Sequence, residues 1–169
     1  MYFGSQEYVG IKNSKLMELS DDCLVLAVIS WMYGICDINL EQEYKLILQL
    51  YEPCQYIYGA VLADDDIVNG GFAQYYANKA EFAKMAAIGF NAIGAYKKSE
   101  IMIKANEVYE KHSTLIADGS VRNNYDILRK INGFEVLNNE YYSSCKSETF
   151  QKLCVKYIRE NIDCFGEQS

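Results

Sequence analysis

Apolar side chains recur every three or four residues along almost the whole chain, which is the spacing of one face of an α-helix. Tyr44, Ile47, Leu48 and Tyr51 form one such set. No segment alternates cleanly between apolar and polar residues over the length of a strand. Half of the 169 residues are hydrophobic, which suffices for one sizeable core. The pattern predicts an all-α, single-domain bundle of about seven to nine helices over residues 1–169.

The helical spacing is interrupted at Asn69, Gly70 and Gly71. Paired glycines allow backbone conformations that other residues avoid, so this step predicts a sharp break between two helices. Phe72 and Tyr75 follow at a spacing of three. We expect both rings to anchor the second helix in the core.

Three consecutive carboxylates, Asp64, Asp65 and Asp66, come just before this break. In the last turns of a helix they oppose the helix dipole, by roughly 0.3–1 kcal/mol each when exposed. We therefore expect Asp66 to accept hydrogen bonds from the N–H groups of Gly70 and Gly71, where the next helix begins. Asp64 and Asp65 are expected to be mostly exposed.

Two carboxamides, Gln74 and Asn78, lie four residues apart and share one helix face. Two interpretations stay open. Either the two side chains make structural hydrogen bonds between helices or at a helix end, or they join Asp66 in a recognition site. The second interpretation describes a small-ligand binder or an enzyme. His112 is the single histidine, and its place on an apolar stripe indicates a core or boundary residue rather than a catalytic base.

The negative charge is unevenly distributed along the sequence. Residues 35–78 hold seven acidic residues and one basic residue, for a net charge of −6, within a total of −7. Such a field disfavours direct binding to nucleic acid or anionic lipid and favours a basic protein partner. Charge that serves only solubility is the alternative. The candidate partner-binding residues are Asp64, Asp65, Glu41, Glu43 and Glu52.

Several other classes of site are disfavoured. The six cysteines lack the spacing of a zinc site, and we expect them to be small buried hydrophobes. No nucleotide-binding or hydrolase motif is present, so we expect no cofactor, no metal and no enzymatic activity. The longest apolar run, residues 23–33, is shorter than the about 20 residues of a membrane span. These features predict a cytoplasmic protein.

The segment around the double glycine resembles a known signature. Residues 66–78 read Asp-Ile-Val-Asn-Gly-Gly-Phe-Ala-Gln-Tyr-Tyr-Ala-Asn, and Ala-Ile-Gly-Ala follows at 92–95. This pattern is similar to that of the DNA-mimic-protein-like family, a bacterial all-helical family of largely unknown function. The resemblance covers about residues 40–115. The residues that carry the motif are Asp66, Asn69, Gly70, Gly71, Phe72, Gln74, Tyr75 and Asn78.

The resemblance implies an acidic surface that imitates the phosphates of DNA and occupies a DNA-binding protein. Carried onto this chain, it places that role on Asp64 and Asp65, with Glu41, Glu43 and Glu52 close in sequence. In many relatives a second Asn precedes the double glycine, and Glu stands at the position of Asp66. A second candidate function is that of an immunity protein against a secreted toxin. The oligomeric state stays open, with a homo-oligomer as one alternative.

Overall fold

The computed structural model describes residues 6–36, 42–112, 125–145 and 149–167. Within these ranges the chain forms nine α-helices and three short 3₁₀-helices. The β-pairing found there is an isolated bridge between Lys12 and Glu167. The all-α prediction is therefore confirmed.

The chain divides into two compact units, of which the first comprises residues 1–58 and 150–169. Its helices are α1 (Asn13–Glu18), α2 (Asp21–Cys36), α3 (Glu43–Ile47), the first turns of α4 (Glu52–Lys79) and, from the C-terminal segment, α9 (Phe150–Glu160). Residues 24–32 of α2 are buried except for the half-buried Leu26. A helix that is apolar on nearly every side belongs in a core, and α2 has that position.

Polar contacts join the C-terminal segment of this unit to its N-terminal helices. Arg159 of α9 forms an ion pair with Asp21 at 2.9 Å. The Asn13 side chain donates hydrogen bonds to the carbonyls of Ile162 and Phe165, at 2.7 and 2.8 Å. These bonds supply donors to carbonyls that follow α9, and the Ile162 carbonyl also accepts a backbone hydrogen bond of 3.1 Å from Phe165.

The second unit comprises residues 59–149. It contains most of α4 and the helices α5 (Ala83–Ile93), α6 (Tyr96–Lys111), α7 (Tyr125–Leu128) and α8 (Phe134–Ser144). Helix α5 ends at Gly94, which adopts the left-handed conformation with φ 91° and ψ 9°. Glycine is the usual residue at such a helix end because it has no Cβ to clash.

Aromatic side chains form the centre of the second unit. Phe72, Tyr75 and Tyr76 of α4 are each at most 1% exposed. The ring of Phe72 lies 6.0 Å from that of Phe134 and 5.8 Å from that of Tyr141. Rings at these separations add favourable pair interactions to the burial of their surface. Helix α8 is thereby held against the second half of α4.

The cysteines follow the sequence prediction only in part. All six occur as thiols, and Cys36, Cys54 and Cys154 are buried. Cys145 is exposed, because it immediately follows the last residue of α8. Across the described ranges, no cluster of three or more His, Cys, Asp or Glu side chains is arranged to hold a metal ion. No helix in the same ranges is long and apolar enough to cross a membrane.

Candidate functional site

Helix α4 is kinked at the double glycine. Gly70 has φ −153° and ψ 15°, and Gly71 has φ 73° and ψ −174°. These angles separate two helical segments, residues 52–69 and 72–79. The conformation of Gly71 belongs to a region of backbone space that is essentially restricted to glycine. The kink thus lies at the step where the sequence predicts a break.

Asn138 of α8 completes the kink from outside α4. Its Oδ1 accepts a hydrogen bond of 2.9 Å from the backbone N–H of Phe72. The first N–H groups of a helix have no partner within the helix, and here a side chain from α8 supplies one. A Cβ added at Gly71 would lie 2.7 Å from Nδ2 of Asn138. The close approach of Asn138 therefore requires glycine at position 71.

Replacing Asn138 with alanine is expected to lower the free energy of unfolding by about 1 kcal/mol, the usual cost of losing a helix cap. The Asn138→Asp variant keeps an acceptor oxygen and should retain most of the stability. Urea denaturation measures both, and Asn139→Ala at the exposed neighbouring position is the control. Equal stability of Asn138→Ala and the control would contradict the capping role.

Asp66 connects the two segments of α4. Its Oδ1 accepts hydrogen bonds of 3.0 Å from Nε2 of Gln74 and 3.0 Å from Nδ2 of Asn78. The sequence predicted that Asp66 accepts hydrogen bonds from the N–H groups of Gly70 and Gly71. The donors to its Oδ1 in the structure are instead the side chains of Gln74 and Asn78. The kink folds the carboxamide face of residues 72–79 back toward Asp66. Burial raises the pKa of Asp66, and the two carboxamide donors act in the opposite direction.

Asp64 is held in an ion pair with a buried lysine. Nζ of Lys98, whose side chain is 1% exposed, lies 2.7 Å from Oδ1 of Asp64. The Tyr141 hydroxyl donates a hydrogen bond of 2.6 Å to the same oxygen. Burial, and then the charge of Asp64, hold the pKa of Tyr141 well above its usual range. The Asp64 side chain is 22% exposed, so the expectation of a mostly exposed carboxylate is wrong.

The sequence contained a signal for this lysine. Lys97 and Lys98 are adjacent in the first turn of α6. Lys98 lies three and four residues before Ile101 and Met102, which are both fully buried. Residues at that spacing share a helix face. Lys98 has buried residues at both spacings, whereas Lys97 has the exposed Glu100 at one of them, which favours Lys98 as the lysine that points into the core. Its partner Asp64 is distant in sequence, and the helical phase of α6 does not identify it.

Asp65 remains at the surface beside Asp64. It is half-buried, and Nδ2 of Asn69 lies 3.3 Å from its Oδ1. The same amide donates a shorter bond of 2.7 Å to the backbone carbonyl of Asp65. Asp64, Asp65 and Asp66 are all half-buried, so Asp65 is also less exposed than predicted.

The remaining predicted acidic residues belong to the first unit. Glu43 is 1% exposed and accepts a hydrogen bond of 2.8 Å from the Tyr58 hydroxyl. Burial is the main cause that raises the pKa of Tyr58. Glu52 is exposed in the first turn of α4, where the helix dipole favours a negative charge. Glu41 lies outside the described residues.

Two further carboxylates, Glu81 and Glu110, line one cavity next to the end of α4. We call these two residues the acidic cluster. The charges of Asp66 and Glu81 both raise the pKa of Tyr75, and Glu110 does so for Tyr76, although burial is the main cause in each case. Glu81 and Glu110 are exposed and line a common cavity of about 160 Å³.

The sequence prediction did not include Glu81 and Glu110, because both lie beyond residue 78 in a part of the chain with nearly balanced charge. Lys84 lines the same cavity, so the field of the acidic cluster is moderated by a nearby cation. The only signal in the sequence is that Glu81 follows Asn78, a motif residue, by three positions.

The structure gives Gln74 and Asn78 structural partners. A groove of about 680 Å³ between α6 and α8 is lined by residues such as Lys104 and Glu140. Asp66, Gln74 and Asn78 do not line that groove, and both carboxamides donate to one carboxylate oxygen. This closed arrangement favours the structural interpretation of the carboxamides over a recognition site.

His112 lies at the C-terminal end of α6 and is half-buried. Its Nδ1 is 2.8 Å from the carbonyl oxygen of Val108, one turn earlier in the helix. A donor at this position satisfies a carbonyl near the helix end. The boundary position predicted for His112 agrees with this placement.

A family model described as DMP19-like protein matches residues 49–161, about two thirds of the chain. The match confirms the resemblance drawn from residues 66–78, and it extends beyond the predicted limit of about residue 115. It includes α8, which supplies the cap to the kink and the tyrosine that binds Asp64. No curated protein and no solved structure matches the chain.

Proposed function

Because the chain belongs to the DMP19-like protein family, we propose that it is a DNA-mimic-type protein that binds a basic, DNA-binding protein without enzymatic activity. In this proposal the acidic cluster of Glu81 and Glu110 supplies the contact surface. The observation that carries the proposal is the shared cavity lined by the exposed Glu81 and Glu110.

The physical basis is competition for the same cationic side chains. Lys and Arg residues that bind DNA contact phosphates, and they release condensed counterions when they do so. Exposed carboxylates on a fixed helical framework offer the same side chains an alternative anionic surface. Glu81 and Glu110 have exposed side chains, whereas Asp64 is paired with Lys98 and Glu43 is buried. The proposal therefore assigns recognition to the exposed carboxylates.

The test uses the immobilised protein and an extract of bacterial cells at low salt. We expect it to retain a DNA-binding protein that added duplex DNA displaces and that elutes as the salt concentration rises. The variant Glu81→Gln/Glu110→Gln should bind that protein at least about tenfold more weakly, because charge pairs across an interface commonly contribute more than 1.4 kcal/mol. Titration of the purified partner measures the difference.

The matched control is Asp126→Asn/Glu135→Gln. Both residues are exposed and lie in the first turns of other helices of the same unit, so the variant loses the same two charges elsewhere. Equal weakening by both variants would mean that net charge, and not the acidic cluster, attracts the partner. A retained protein that duplex DNA does not displace would contradict DNA mimicry and favour the immunity function.

A further inference from the structure

Cys145 and Lys98 bring a thiol and an amine into direct contact in the second unit. Nζ of Lys98 lies 3.0 Å from Sγ of Cys145. The lysine is on α6 and the cysteine follows the end of α8. Lys98 is 1% exposed, whereas Cys145 is exposed. A dissolved oxidant can therefore reach the Cys145 thiol, and the buried amine of Lys98 lies in contact with that thiol.

The amine is held in this place by contacts on its other sides. Asp64 accepts a hydrogen bond of 2.7 Å from Nζ, and the nitrogen lies 4.1 Å from the centre of the Tyr141 ring. A lysine on the surface moves among many rotamers, but these contacts confine the Lys98 nitrogen near one sulfur. Such confinement raises the effective concentration of the amine at the thiol.

We propose that hydrogen peroxide converts this pair into a covalent cross-link, a sulfenamide between Sγ of Cys145 and Nζ of Lys98. The structure thus assigns a modification site that is separate from the acidic cluster. A sulfenic acid condenses with a thiol to give a disulfide or with a backbone nitrogen to give a sulfenamide, and here the nitrogen next to the sulfur is Nζ of Lys98. The proposal does not depend on the identity of any protein partner.

The reaction has two balanced steps. In the first, the thiol of Cys145 attacks peroxide, the O–O bond breaks, and sulfenic acid and one water form. In the second, Lys98 passes a proton to Asp64, and its nitrogen lone pair attacks the sulfur. The S–N bond forms as the S–O bond breaks, and the leaving hydroxide takes a second proton from the attacking nitrogen to give a second water and the neutral S–NH group. Peroxide is reduced, and the sulfur is oxidised by two electrons in total.

The thiol of Cys54 is less suited to this chemistry than that of Cys145. Cys54 is buried, and burial raises its pKa to about 12, which keeps the reactive thiolate scarce. Its Sγ donates a hydrogen bond of 3.0 Å to the carbonyl of Cys164, whereas Cys145 contacts an amine. Of these two thiols, the one placed against an amine is that of Cys145.

The cross-link also changes the charge of the protein. A sulfenamide nitrogen carries no positive charge at neutral pH, so Asp64 would lose the cation that faces it. Once Asp64, whose side chain is 22% exposed, releases the transferred proton to solvent, the oxidised protein should migrate as a species with one additional negative charge. Opening of the S–N bond by dithiothreitol should restore the original mobility.

Peptide mapping of the peroxide-treated protein tests the proposal. After peroxide is removed and remaining thiols are alkylated, we expect a linked peptide that contains Lys98 and Cys145 and lacks two hydrogen atoms. Trypsin should fail to cleave after Lys98 in that peptide, and dithiothreitol should restore cleavage. A disulfide has the same mass change, but it leaves Lys98 open to trypsin.

Two variants sharpen the result. Cys145→Ser changes an exposed position and should abolish the linked peptide, whereas Cys164→Ser, at a half-buried cysteine, should retain it. A treated wild-type protein in which trypsin still cleaves fully after Lys98, or in which Cys145 is recovered only as sulfinic or sulfonic acid or as a disulfide, would overturn the proposal. A linked peptide that carries an added oxygen would overturn the direct S–N bond.

Discussion

Replacing Gly71 with alanine is expected to lower the free energy of unfolding by about 3 kcal/mol or more. At φ 73° and ψ −174° a residue with a Cβ is strained wherever it sits in a protein. Here the added Cβ would also meet the side chain of Asn138 at 2.7–2.9 Å, closer than carbon atoms approach in packed interiors. The loss corresponds to a fall in melting temperature of about 6–12 °C.

Two comparisons separate the sources of that loss. Gly94→Ala introduces a Cβ at another positive φ, 91°, but in the left-handed helical region, where the strain is only about 1–2 kcal/mol. The double variant Gly71→Ala/Asn138→Ala removes the contacting side chain and should lose less stability than the two single changes combined. Thermal unfolding that places Gly71→Ala no lower than Gly94→Ala would contradict our account of the kink.

Replacing Lys98 with methionine is expected to lower the free energy of unfolding by about 3 kcal/mol. The change removes the cation that lies 2.7 Å from Asp64 and leaves a carboxylate that is only 22% exposed. Removing one member of a buried ion pair is costly, because the other charge stays in a poorly solvated position. Chemical denaturation with two independent probes measures this loss.

The neighbouring lysine provides a matched control. Lys97 pairs with Glu100 at 3.6 Å, and both side chains are more than half exposed. Lys97→Met should therefore change stability by less than about 0.5 kcal/mol. Asp64→Asn/Lys98→Met removes both charges and should recover part of the loss, since asparagine can still accept the Tyr141 hydrogen bond. If the double variant were no more stable than Lys98→Met, an uncompensated carboxylate would not be the cause.

The features that sequence reasoning predicted well are local. The buried rings of Phe72 and Tyr75 and the break at the double glycine all lie within a few residues of one another. Their signals, helical spacing and an unusual backbone requirement, act over one or two turns of chain. Such signals can be interpreted without knowing which other helices pack against them.

The predictions that failed depended on distant partners. Asp64 is paired with Lys98, 34 residues away in sequence, and its exposure could not be estimated without that contact. Asp66 bonds to the side chains of Gln74 and Asn78, because the kink turns one segment of α4 back on the other. The cap of the second segment comes from Asn138 of α8, 66 residues after Phe72.

Counting charges along the sequence does not show which carboxylates are exposed. The count of −6 for residues 35–78 gives Glu43 the same weight as an exposed carboxylate, although it is 1% exposed. Glu81 and Glu110, which line one cavity, come from a region where lysines balance the count. A formal charge says nothing about whether its side chain reaches the surface.

The hydrogen bond from the Phe72 N–H to Asn138 has a consequence for the order in which this unit assembles. The donor and acceptor are 66 residues apart. A ribosome therefore synthesises the double glycine well before it synthesises Asn138, whose side chain caps the second segment. Until α8 emerges, the second segment of α4 lacks its cap and the Phe72 ring lacks its neighbour from α8. Contacts at such long sequence separation slow folding. We therefore expect the double glycine of the nascent chain to stay exposed to solvent, and the kink to reach its final conformation only when α8 packs against α4.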